Sequence, residues 1–310
     1  MKILVTGGAG FIGSHVADAY IAAGHSVVVL DNLSTGRREN VNRQATFYQL
    51  DLRSPELAAV FERERIDIIS HHAAQMDIRR SVADPKDDAM INIVGGLNLF
   101  ECCRTHGVRK VVFASTGGAV YGEQAYFPAD EDHPTNPLSP YGIAKLSCEK
   151  YLYYYKQAFG LDSVILRYAN VYGPRQNPHG EAGVVAIFAH KMLAGEQPTI
   201  NGDGRQTRDY TYIADVVRAN ELALQAEGSR IYNVGTGIET DVTQLFRRLR
   251  DLLSPTCREA HGAAKAGEQL RSVISCARIH KELGWRPIVH VDEGLALTAA
   301  SFASSLKGAR

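Results

Sequence analysis

The chain has 310 residues, 45% apolar and 22% charged, which is enough to bury a large core and ordinary for a soluble globular protein of about two domains. Lys plus Arg number 34 and Asp plus Glu number 34, so a general nucleic-acid binder and a polybasic membrane protein are excluded, though a local basic pocket is not. No apolar run reaches the ~18 residues of a bilayer span, the first residues do not read as a secretory signal, and five cysteines without a C-x-x-C argue against a disulfide scaffold or zinc site, so a reducing cytoplasm is expected.

Taken in order, Lys2–Thr6 is a short apolar strand, Phe11–Ala23 has helical spacing, and Ser26–Leu30 is a β-branched strand ending at Asp31. Thr46–Leu50 is a third strand, Pro55–Arg65 a helix, Ile66–Ser70 a fourth strand, Pro85–His106 one long helix, and Lys110–Ala114 a fifth strand. A Pro-rich loop leads to a helix over Pro140–Phe159 and a strand over Ser163–Arg167. β-Branched runs joined by helical segments predict βαβ units on a sheet buried on both faces. The expected class is α/β: a Rossmann-type doubly wound parallel sheet over residues 1–170, with a smaller, interleaved α/β substrate domain over 171–310. Late strands should return to the sheet from about 208–236, Tyr232–Val234 among them. Ligands of such sheets sit at the carboxyl ends of the strands.

The first chemical motif is Gly7-Gly8-Ala9-Gly10-Phe11-Ile12-Gly13, between the first strand and the first helix. Gly7, Gly10 and Gly13 permit a tight turn, backbone approach to a pyrophosphate and close helix–strand packing, while Phe11 and Ile12 open a helix whose N–H groups face the phosphates. Asp31 can accept from both hydroxyls of an adenosine ribose and would repel a 2′-phosphate, favouring NAD over NADP; its plainer reading is a cap on the turn Asn32–Gly36. Asn32 is counted with this site, and Asp51-Leu52 after the third strand could hold the adenine edge or merely end the strand.

Tyr141 and Lys145 stand four apart at the start of a helix and share one face. An ammonium beside a phenol lowers its pKa from ~10 towards neutrality and makes it a general base for an alcohol. The histidines show no helical ligand spacing, and no metal is expected.

The chain resembles the extended short-chain dehydrogenase/reductase family, and within it the UDP-sugar 4-epimerases. The marks are TGGAGFIG (Thr6–Gly13), HHAA (His71–Ala74), AVYGE (Ala119–Glu123), SPYGIAK (Ser139–Lys145), LRYANVYGPR (Leu166–Arg175), RDYTYIADV (Arg208–Val216) and LGW-P (Leu283–Pro287), spread over nearly the whole chain. The resemblance implies interconversion of UDP-glucose and UDP-galactose through a 4-keto sugar, with NAD retained, Tyr141 as base and Lys145 on the nicotinamide ribose. It implies a hydroxyl on the reacting sugar oxygen, here Thr116 or, second, Ser115, because Gly117 stands in the usual serine slot. Gly117 and Gly118 replace the acidic pair that family dehydratases place there, which favours epimerisation.

By position, the resemblance assigns Ala73, Ala74, Gln75, Asn92 and Tyr168 to the cofactor. To the UDP-sugar it assigns Asn170, Gly183, Val184, Thr199, Ile200, Asn201, Arg208 and Glu268, with Arg271 as a second diphosphate grip because Lys265 stands where the family has arginine. Ser272 falls where residue size gates an N-acetyl group at the sugar's C2, and serine leaves room for UDP-N-acetylhexosamines. A UDP-uronic acid 4-epimerase, a reductase, or a non-catalytic dinucleotide-binding regulator are the alternatives. A homodimer is expected through the two long helices, with Ile91, Val94, Leu97 and Leu99 on one and Leu152, Tyr155 and Phe159 on the other; neither nucleic acid nor membrane is expected as a partner.

Overall fold

Strands whose every residue is apolar have no solvent face, and period-two alternation sends their side chains to two different cores. In the computed structural model, which describes residues 1–178, 183–264 and 269–308, this is what happens. Strand β1 (Lys2–Thr6) puts Ile3 and Val5 into one core and Leu4 into the other. Helix α1 (Phe11–Ala22) leads to β2 (Ser26–Asp31), where Val27 and Val29 join the first core and Val28 and Leu30 the second. Next come β3 (Thr46–Gln49), α2 (Leu57–Glu64) and β4 (Ile68–His71).

The expected single helix over 85–106 is broken. A short α3 (Ile78–Ala83), unforeseen, is capped by Asp77, and α4 (Pro85–Ala89) is capped by Asp84 with Pro85 in its first turn. A π-turn over Met90–Val94 then precedes α5 (Gly95–Thr105). Strand β5 runs over Lys110–Thr116, longer than expected, so Ser115 and Thr116 are strand residues with opposite faces. Helix α6 (Pro140–Phe159) opens on a Ser139 cap and ends at Gly160 in the left-handed region. Strands β6 (Asp162–Tyr168) and β7 (Asn170–Tyr172) follow.

The remaining elements are α7 (Val184–Leu193), β8 (Ile200–Asn201), β9 (Thr207–Tyr212), α8 (Ile213–Gln225), β10 (Arg230–Val234), β11 (Glu239–Asp241), α9 (Val242–Leu253), β12 (His261–Gly262), β13 (Arg271–Ser272), α10 (Ala277–Leu283) and α11 (Val291–Gly308). The main sheet has seven parallel strands in the order β10-β6-β5-β4-β1-β2-β3. Side chains of α1 and α8 cover one face, and those of α2, α5 and α6 the other. Strand order reverses between β1 and β4, which opens a cleft at their carboxyl ends.

Of the strands expected to return to the main sheet over about 208–236, β10 does so beside β6, whereas β9 is corrected: it is the centre of a second sheet with β7, β11 and β13. The chain therefore passes into the smaller sheet and back again. Among the described residues no helix is long and apolar enough to cross a membrane.

Candidate active site

At the head of the cleft, the glycine turn is fixed by steric exclusion. Gly7 has φ +69°, and a Cβ there would lie 2.6 Å from the Ala73 nitrogen; one on Gly13 would lie 2.3 Å from the Gly7 carbonyl. The turn, β4's end and α1 are thus packed without room for side chains. Gly10 caps α1 with no side-chain acceptor, so the N–H groups of the first turn at Phe11 and Ile12 are left for a ligand anion. This is a cradle whose shape fits a dinucleotide pyrophosphate.

Asp31 ends β2 beside that cradle and is buried. Its Oδ2 accepts the Ala9 N–H at 3.0 Å and its Oδ1 the Leu33 N–H at 2.8 Å. The carboxylate therefore does cap the turn, and it holds the glycine loop as well. A carboxylate offers about four acceptor positions, so two protein contacts leave capacity for a ribose. Asn32 donates from Nδ2 to Asp51 at 2.9 Å, and Arg53 forks onto Asp51, holding its carboxyl well below the usual carboxylate range. Leu52 is buried in the core, its carbonyl accepting from Asn98 at 2.6 Å.

Beyond β4, Ala73 donates its N–H to Thr6 Oγ1 at 3.3 Å. Ala74 leads to Gln75, which meets Asn92 in a two-way clasp. The Gln75 N–H donates to Asn92 Oδ1, and Asn92 Nδ2 donates to the Gln75 carbonyl, both at 2.9 Å. Asn92 sits in the π-turn, and Cys148 of α6 donates its thiol to the Asn92 carbonyl at 3.3 Å. π-Turns inside α-helices frequently mark functional sites. Helical periodicity conceals this one; the residue pair was assignable, the turn was not.

Tyr141 and Lys145 lie in the first turns of α6. Lys145 is 4% exposed; its Nζ donates to the Ala114 carbonyl at 2.8 Å and stands 4.8 Å from the Phe113 ring centroid and 5.9 Å from that of Tyr141. Burial pushes its pKa down to about 8. Burial, with the charge of Asp88 adding to it, raises that of Tyr141. Among the protein's own groups the push on the phenol is thus upward, and the downward pull of the ammonium expected from the sequence is not among its causes. Asp88 was not foreseen; its signal in the sequence is an acid one helical turn before Asn92.

The two hydroxyl candidates part company. Ser115 points into a buried network: it donates to Glu149 Oε1 at 2.5 Å, and Arg167 forks onto Glu149 at 3.0 and 2.6 Å. Its assignment to the reacting sugar is corrected, since strand alternation turns it into the protein. Thr116 faces the other way. A Cβ on Gly118 would lie 3.8 Å from both Thr116 Oγ1 and Asn170 Oδ1, so these two side chains flank the same glycine. A side chain at Gly117 would meet Ile274 Cδ1 at 2.7 Å, which explains why glycine stands in that slot.

Tyr168 sends its ring into the core, with its hydroxyl on Asn220, and only its carbonyl reaches the cleft, accepting the Gly117 N–H at 2.8 Å. Further along the chain, Gly183 caps α7, and Val184 opens it. Ile200 is fully buried and its side chain packs in the core, while Thr199 is exposed and Asn201 half-buried. Arg208 and Ser272 are register partners on β9 and β13, and Arg208 donates to the Thr207 carbonyl at 2.8 Å. Arg271 is engaged elsewhere: it forks onto Glu239 at 3.1 and 2.6 Å and stacks 3.8 Å above the Phe127 ring. Lys265 and Glu268 lie outside the described residues.

Residues 3–235 match the model of the NAD dependent epimerase/dehydratase family. The chain is 43% identical over 308 residues to the UDP-glucose 4-epimerase of Mycolicibacterium smegmatis, covering 97% of this chain and 98% of the relative. Its fold is similar to that of the UDP-glucose 4-epimerase of Thermotoga maritima solved with UDP-glucose, with a TM-score of 0.97 and 47% identity, over 99% of this chain and 100% of that one. It is also similar to the Thermus thermophilus UDP-glucose 4-epimerase in complex with NAD, with a TM-score of 0.92 and 46% identity, over 97% of this chain and 99% of that one. A glycine cradle at the switch point, a Tyr–Lys pair across the cleft, and a match running unbroken through both put this chain in the NAD-dependent epimerase/dehydratase family.

Proposed function

We propose that this protein is an isomerase of nucleotide sugars that interconverts UDP-glucose and UDP-galactose, with NAD held through turnover. The observation that supports the reading is that Lys145, one turn from Tyr141, reaches the end of β5 at the Ala114 carbonyl, while Thr116 two residues on flanks Gly118 with Asn170, and glycines and not acids stand at 117 and 118. An elimination needs an acid to expel water from the 4-keto sugar; glycines there leave proton exchange at the 4-hydroxyl. Held by the glycine turn, Asp31 and Lys145, NAD would supply reversible hydride acceptance from the sugar's C4.

The protein's own part is proton handling and positioning. Tyr141 takes the proton of the sugar 4-hydroxyl and gives it back. Lys145, anchored on the Ala114 carbonyl, holds its ammonium beside the phenol and, with NAD present, on the nicotinamide ribose. A positive charge beside the phenol, such as an oxidised nicotinamide would supply, would oppose the upward push of burial on Tyr141. Thr116 hydrogen-bonds the reacting oxygen. Asp31 holds the adenosine ribose while pinning the glycine loop. Arg208 is the diphosphate grip of this reading, because guanidinium forks match phosphate oxygens.

Ser272, small and buried opposite Arg208, supports acceptance of UDP-N-acetylhexosamines as well. The deciding experiment measures NAD released from purified protein and then UDP-galactose turnover without added cofactor. NAD with turnover is the expected result. NAD without turnover would favour a binding regulator; activity only on a uronic acid would move the substrate.

A further inference from the structure

Asp88 is a buried acid that none of the roles above employs. It is 1% exposed, in α4, one turn before Asn92. Its Oδ1 accepts from Gln75 Nε2 and from Asn92 Nδ2, both at 3.0 Å. Its Oδ2 is sealed from solvent without a hydrogen-bond partner. An orphaned buried carboxylate oxygen is unfavourable and asks for a functional reason.

The surroundings supply one. Helix α6, packed against α4, presents Tyr141, Lys145, Cys148 and Glu149. On the other side α3 presents Arg79 and Arg80, with Asp77 at its cap, and α4 itself carries Lys86 and Asp87. Arg80 pairs with Asp87 at 2.7 Å and Arg79 with Asp77 at 3.6 Å. The carboxylates whose charge reaches Lys145 are Asp88 and Glu149, and Glu149 is neutralised by Arg167 at 2.6 Å. Burial pushes the Asp88 carboxyl up, opposed by its hydrogen bonds from Gln75 and Asn92. His71 and His72, at the end of β4, also lie near Lys145, and burial pushes both down.

We propose that Asp88 is a positioning residue for the catalytic pair: its Oδ1 fixes Gln75 and Asn92 together, and Asn92 in turn holds α6 through Cys148, three residues from Lys145. The proposal rests on the 4-epimerase reading for its activity readout only. The signs are definite. Removing the Asp88 charge relieves the opposition to a phenolate, so Tyr141 titrates at lower pH. It also withdraws support from the ammonium, so Lys145 deprotonates at lower pH.

The test is Asp88→Asn, which keeps an oxygen acceptor for Gln75 and Asn92 and removes the charge. The phenol is followed in the holoenzyme by ultraviolet difference titration, each background being compared with its own Tyr141→Phe partner. The pH profile of kcat on UDP-galactose is measured alongside. Both titrations should move acid-ward by roughly half a unit to one unit, less than the 1–3 units of charges in direct contact. Asp88→Glu should return them towards the wild-type position. If the Asn variant folds poorly, Asp88→Ser carries the same expectation. Unmoved midpoints in both measurements would overturn the proposal. Failure of the epimerase reading appears differently, as an unmodified protein inactive at every pH, and the phenol titration still judges Asp88.

Discussion

Tyr141 is half-buried and its pKa raised, Lys145 is buried and its pKa lowered, and the pair has the arrangement of a proton-exchanging couple. Tyr141→Phe keeps the ring and removes the proton site, so turnover should fall by ~10² or more with bound NAD unchanged; near-normal turnover would sink the mechanism. Because burial brings Lys145 down to about 8, activity that needs the ammonium should be full below that pH and fall as pH rises through it. Asp31→Asn keeps one acceptor for the loop but loses the charge, and should lower NAD content and relax rejection of NADP. Equal content and preference would confine Asp31 to its turn. Ser272→Tyr should lower kcat/KM for UDP-N-acetylglucosamine against UDP-glucose by about tenfold to a hundredfold, the cost of ~1–3 kcal/mol of overpacking. An equal loss on both sugars would remove Ser272 from the C2 contact. Much at this scale was legible because spacing survives folding: Gly7 to Gly13, and Tyr141 with Lys145, are local. Ser115 was not, since which of two adjacent hydroxyls faces the cleft depends on where β5 ends. Asp88 was not either: Asn92 stands one turn away, but Gln75, which completes the contact, comes from the loop after β4.

Helix α6 was read at both ends because its boundaries are chemical: the Ser139 cap, Pro140 in the first turn, and Gly160 at φ 78°. The π-turn before α5 has no such punctuation. It differs from an α-helix only in hydrogen-bond register, and apolar spacing hardly registers one extra residue. Glu149 ties these elements together, joining α6 to Ser115 on β5 and to Arg167 on β6. Arg167 continues to Tyr121 at 3.0 Å, and Tyr121 to Asn233 on β10 at 2.6 Å. Glu149→Ala would leave a buried guanidinium without its anion, and should destabilise the fold by about 3–5 kcal/mol. Urea denaturation measures it; a loss below ~1 kcal/mol would mean that the network relaxes around the gap.

At the scale of the molecule, the residues expected to pair subunits divide. Leu99, Leu152 and Tyr155 pack inside the protein's own core and Ile91 and Leu97 are half-buried, whereas Val94 and Phe159 are exposed, together with Met90, Ile143, Tyr151 and Tyr154, which were not foreseen. We propose this second set as the seam of an isologous dimer, two-fold closure being the commonest symmetry. Light scattering should give twice the 33.9 kDa chain mass at micromolar concentration, and Tyr154→Glu should shift it towards one; a monomer before substitution would remove the idea. The alternation of strands and helices was readable from the sequence, but the membership of β9 in the smaller sheet was not, because pairing partners are set by distant chain. The return of β10 to the edge of β6 carries a consequence for synthesis. The ribosome delivers six strands first and then the whole passage through the smaller sheet before the seventh, an interval on the order of seconds. Throughout it β6 stands as an unpaired parallel edge, the kind of template on which nascent chains aggregate, and Arg167 waits without Asn233 behind its tyrosine. The last strand is thus also the step at which β6 becomes an interior strand and β10 takes its place at the rim of the sheet.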